Sequence, residues 1–91
     1  MKLTTPTETY QTSELQILSF IGMCLPHRFL AFEEALEDAK QPGQPIVDIE
    51  VDCANQTIGI FSEKGNVSLC RFLPKDQPVT MIELRTEGAT L

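Results

Sequence analysis

The hydrophobic period of this chain changes once, across the stretch "QPGQP" at residues 41–45. Before it, apolar residues recur at three- and four-residue intervals. After it, they recur at every second position. Side chains share one face of a helix at the first spacing and alternate across a strand at the second. Helices followed by strands, without interleaving, predict an α+β domain rather than a βαβ repeat.

The first 11 residues, MKLTTPTETYQ, are polar and threonine-rich around Pro6 and read as a flexible N-terminal arm; residues 12–91 read as a single domain. Ser13 and Gln16 have the spacing of a capping box, in which each side chain satisfies a backbone N–H of the other's turn. That favours a helix over the run LQILSFIGMC, with a strand over residues 15–23 as the alternative. Pro26 pushes Leu25 out of helical geometry and is suited to the first position of a new helix, expected to run from 26 to about 40. Its apolar stripe is Leu25, Phe29, Phe32, Leu36 and Ala39, and the Gly and Pro of QPGQP end it.

Four strands are expected after residue 45. IVDIEVDC places Val47, Ile49, Val51 and Cys53 on one face and Asp48, Glu50 and Asp52 on the other. A turn at 54–57 leads back, with Cys53 expected opposite Ile58, Val51 opposite Ile60 and Ile49 opposite Ser62. A second turn at 63–66 precedes VSLCRFL, where Val67, Leu69 and Leu73 compete with Cys70 and Phe72 for the inside. VTMIELR follows, then a polar tail, TEGATL. The expected architecture is two-layer: two N-terminal helices packed on a four-stranded antiparallel sheet. With residues 15–23 as a strand, the order becomes β-α-β-β-β.

Charge narrows the partners. Seven Lys and Arg are scattered among thirteen Asp and Glu, for a net charge of −6. Nucleic-acid binding needs clustered cations and stacking aromatics, so no nucleic acid is expected. The apolar run at 15–25 is shorter than the roughly 20 residues that span a bilayer, and its flanks do not suit a signal peptide, so no membrane insertion is expected. Three cysteines far apart make no disulfide framework, which points to a reduced, cytoplasmic protein.

No constellation carries chemistry clearly. Cys24, His27, Cys53 and Cys70 are zinc-ligand types, but Cys53 and Cys70 each lack a second ligand nearby in sequence. Cys24 and His27 are three apart, yet Pro26 separates them. Glu33, Glu34, Glu37 and Asp38 read as a solvated helix face. No phosphate loop is present, and no catalytic residue, cofactor or metal is assigned.

Two surfaces remain. The first helix is apolar almost all round, through Ile17, Phe20 and Ile21 among others, and such a helix must be covered nearly all round. Either its neighbours cover it or it is an interface, a symmetric homodimer being the commonest kind. The second surface is the acidic strip Asp48, Glu50 and Asp52, with Phe61 beside it. The expected function is a non-catalytic protein-interaction or regulatory module, using the apolar helix surface, the acidic sheet strip or both. Its partner is a protein, self or heterologous, with basic character. The alternative is a small-ligand or metal-binding domain with a pocket between helices and sheet near Cys24, His27 and Cys70.

Overall fold

A computed structural model describes residues 1–85. The chain runs β1 (Lys2–Thr4), β2 (Thr9–Gln11), α1 (Glu14–Cys24), a 3₁₀ turn (Pro26–Arg28), α2 (Phe29–Ala39), β3 (Ile46–Asp52), β4 (Thr57–Lys64), β5 (Val67–Leu73) and β6 (Thr80–Arg85). It is an α+β, two-layer fold with both helices on one face of the sheet. The polar tail expected at residues 86–91 lies outside the described residues.

The capping box forms as the sequence predicts. Gln16 N–H donates to Ser13 Oγ at 3.2 Å, and Ser13 N–H donates to Gln16 Oε1 at 3.3 Å. This makes residues 14–24 helical and removes the strand alternative. At Leu25 the chain bends by 118° into the second helical segment, with Pro26 at its first position. The bend brings the start of α1 beside the end of α2, where Lys40 bridges Glu14 and Glu37.

Among the described residues the sheet has six strands, not four, in the order β2-β1-β3-β4-β5-β6. The expected antiparallel four are β3 to β6. The added pair comes from the segment read as a flexible arm. β1 and β2 form a hairpin, and β1 pairs parallel with β3, through Leu3 opposite Ile49. Parallel neighbours need a long crossover, and α1 with α2 supplies it. Three-residue strands carry too little alternation to be read in a sequence. Their pairing satisfies an edge of β3, and Leu3 is 7% exposed in the core.

The β3–β4 register also differs from expectation. Ile49 faces Ile60 and Val51 faces Ile58, while an irregularity between Ile46 and Asp48 lets Ile46 face Ser62. Ile49 and Val51 face inward as expected, but Ile46 rather than Val47 packs against the core, β3 ends at Asp52, and Cys53 lies exposed in the following turn. That turn is held by Asp52, whose carboxylate accepts from Asn55 N–H at 3.1 Å and Asn55 Nδ2 at 2.7 Å. At the next hairpin Gly65 takes φ +59° in the first of two turn residues, a conformation open to glycine without strain.

The core lies between sheet and helices. Ile17, Ile21, Leu25, Phe32 and Leu36 pack toward Ile49, Val51, Ile58, Ile60 and Leu73. Each fully buried side chain of this size contributes about 1.5–3 kcal/mol of transfer free energy. The register of β5 places Leu69, Arg71 and Leu73 on the helix side and Ser68, Cys70 and Phe72 on the other.

Candidate functional site

Among the described residues no helix covers the second face of the sheet, and two rows of residues cross its strands. Lys2, Asp48, Phe61, Cys70 and Ile82 stand level in one row. Thr4, Glu50, Gly59, Phe72 and Thr80 make the other. Polar and acidic side chains therefore gather on β1 and β3, and apolar ones on β4 to β6.

Between these halves lies an open groove of about 400 Å³. Thr4, Thr5 and Pro6 border one end, and Glu50, Asp52 and Thr57 form its acidic wall. Phe61, Cys70, Phe72, Ile82 and Leu84 make the apolar side. Gly59 accounts for the depression. A Cβ there would lie 3.0 Å from Phe61 Cε1 and 3.6 Å from Cys70 Sγ, so the missing side chain lets the Phe61 ring lean across the strand. Ile82 and Leu84 stay 42% and 40% exposed on the apolar side.

The acids differ in how they are held. Thr4 Oγ1 donates to Asp48 at 2.9 Å, and Asp52 is occupied by Asn55, whose hydrogen bonds lower its pKa. Glu50 is displaced the other way: burial against the groove and the neighbouring Asp48 charge raise its pKa, partly opposed by Lys2. Cys70 is 4% exposed, and burial followed by the Glu50 charge raises its thiol pKa. An incoming cation would relieve the crowding that Glu50 feels from Asp48.

The structure brings Asp48, Glu50, Asp52 and Phe61 together on this face. Ile17 and Ile21 are placed elsewhere: both are 0% exposed, in contact with the core, and present no surface to a partner. Phe20 is half-buried against the same core. The apolar excess of α1 is thus largely absorbed, leaving Leu15 and Met23 exposed near opposite ends of the helix. Phe72, Ile82, Leu84 and Gly59 also belong to the groove, and the sequence does not single them out. A signal for the first three is nonetheless there: VSLCRFL and VTMIELR carry apolar residues at both parities. A strand apolar on both faces supplies one face to the core and the other to the open side of the sheet.

The zinc-type residues do not gather at one point. Cys70 lies on the open face, whereas Cys24 ends a helix on the other side of the sheet. His27 is exposed, with Nε2 3.7 Å from Asp76 Oδ1. Among the described residues, no group of three or more His, Cys, Asp or Glu gathers as a metal site. No single helix among them is long and apolar enough to cross a membrane. Comparisons with protein-family models, curated proteins and solved structures found no match.

Proposed function

We propose that this chain is a non-catalytic protein-interaction module, cytoplasmic, whose open sheet face takes a short basic segment bearing apolar side chains from another protein. One observation carries the reading: a groove with an acidic wall and an apolar side, on a sheet face that no helix among the described residues covers. Exposed apolar surface rimmed by polar residues is characteristic of interaction sites. Burial of Phe61, Phe72 and Ile82 would supply affinity, and the acids would select and steer a cationic partner. Charge favours a heterologous partner over a second copy, because a symmetric face-to-face pair would bring Glu50 and Asp52 toward a groove walled by the same acids.

The test is selection from a random peptide display library on the intact chain. Enriched peptides are expected to combine Lys or Arg with large apolar residues. Their affinity should fall tenfold or more with Ile82→Asp and also with Glu50→Lys, both at exposed positions. Failure to enrich a sequence class, or equal binding to both variants, would refute the proposal. A second reading rests on the groove's volume, which falls within the usual range for small-molecule sites of about 300–1,000 Å³. An apolar dye bound one-to-one and not displaced by any basic peptide would favour it.

A further inference from the structure

Among the described residues β2 and β6 are the two edges of the sheet, and they are not equivalent. β2 has three residues, and a short edge strand is one way a sheet discourages further pairing. β6 has six, pairs with β5 on one side, and is exposed at every residue from Thr80 to Leu84. Its other side presents a row of backbone donors and acceptors that no described strand meets.

The two faces of β6 differ in chemistry. Thr80, Ile82 and Leu84 stand on the open face, while Met81 and Glu83 stand on the helix face, level with Arg71 and Leu69 of β5. On that helix side an open cleft of about 210 Å³ lies between α2 and the edge. One wall is the α2 stripe Ala31, Glu34, Ala35 and Asp38, in which the small alanines leave room. Val79 and Met81 border the other side and are exposed. Arg71 also lines the cleft, and its Nη2 donates to the Asp38 backbone carbonyl at 3.3 Å. Among the described residues neither Glu34 nor Asp38 has an ion-pair partner. Two carboxylates against one guanidinium leave the cleft acidic.

We propose that the β6 edge takes an extended segment of another protein as a seventh strand, with Lys or Arg at alternate positions facing α2 and apolar residues between them. Backbone pairing supplies affinity in such strand addition, and the alternate side chains supply the choice of partner. On the helix face, a lysine or arginine stem covers Met81 while its charge reaches toward Glu34 and Asp38. On the open face, the intervening apolar residues continue the row that ends in Ile82 and Leu84. A second copy is a poor occupant. Antiparallel pairing of β6 with itself, about an axis normal to the sheet, keeps both helix layers on one side. Two acidic α2 walls would then face each other across the seam. The slot is distinct from the groove, because Glu34 and Asp38 lie on the opposite side of the sheet from Glu50.

The experiment titrates the full-length chain with a labelled hexapeptide of alternating lysine and valine, and with a block peptide of three lysines followed by three valines. The alternating peptide is expected to bind at least tenfold tighter by fluorescence anisotropy. Combining Glu34→Lys with Asp38→Lys, both at exposed positions, should weaken it at least tenfold, while Glu50→Lys leaves it within twofold. Bound peptide should slow hydrogen exchange at alternate amides of β6, those whose N–H points to the edge. Docking over a sheet face does not produce that pattern. Equal affinity for the two peptides, no binding at millimolar peptide, loss with Glu50→Lys instead, or unprotected β6 amides in the complex would each overturn the proposal. The exchange pattern of the wild-type chain decides the matter even if a variant folds poorly.

Discussion

Replacing Ser62 with alanine should make this protein more stable. Ser62 is 0% exposed on the helix-facing side of β4, between Ile46 and Leu69 of the flanking strands. Its Oγ has no hydrogen-bond partner among the described residues. Removing a hydroxyl from water without a compensating bond costs about 1–3 kcal/mol in proteins. Alanine removes that cost, but it also forfeits the dispersion attraction of one oxygen to its neighbours, about 0.1–0.2 kcal/mol for each atom pair. The balance of the two is a gain of about 1 kcal/mol. In a domain of this size that raises the melting temperature by roughly 4–8 °C. Urea denaturation at pH 7 should show a higher midpoint with an unchanged slope, since the surface exposed on unfolding is the same. A destabilisation of about 1 kcal/mol or more would show that the hydroxyl is bonded in solution and that the reasoning is wrong.

Two further outcomes bear on the fold. Leu3→Ala should cost about 2 kcal/mol or more in urea denaturation, because Leu3 is buried against the core through the β1–β3 pairing. An unchanged midpoint would mean that the first residues are a loose arm after all. Stability should also fall as pH rises from 9 toward 12. The folded chain keeps the Cys24 proton up to about 12, whereas the ordinary value is 9.0, so between them the unfolded chain has lost a proton that the folded chain retains. Cys24→Ala should flatten that part of the profile, and an identical slope in the variant would contradict the assignment.

Strong local signals in the sequence are reliable guides. The period change and the Ser13–Gln16 box place their elements within a residue or two, while Pro26 opens a 3₁₀ turn and α2, with its stripe through Phe32 and Leu36, starts three residues later at Phe29. Non-local signals are not legible. β1 pairs with β3 through backbone groups that any residue carries, so a three-residue strand leaves almost no trace in composition. The over-apolar α1 points to an interface only while the helix is considered without the elements that cover it. Ile17 and Ile21 are core. Asp48, Glu50 and Phe61 are legible as one face because alternation in β3 survives a bulge near its start. Phe72 and Ile82 leave only a collective signal, apolar residues at both parities, which gives no period to say which of them share the groove.

The central claim is that partners dock on the open sheet face rather than on the helices. The most direct measurement is a titration of the isotopically labelled chain with a selected basic peptide, followed through backbone amide shifts. The account predicts saturable changes at residues 48–52, 57–61, 70–72 and 80–84, with amides around Leu15, Met23 and Leu30 unmoved. Shifts confined to that helical surface, with the sheet amides still, would contradict it.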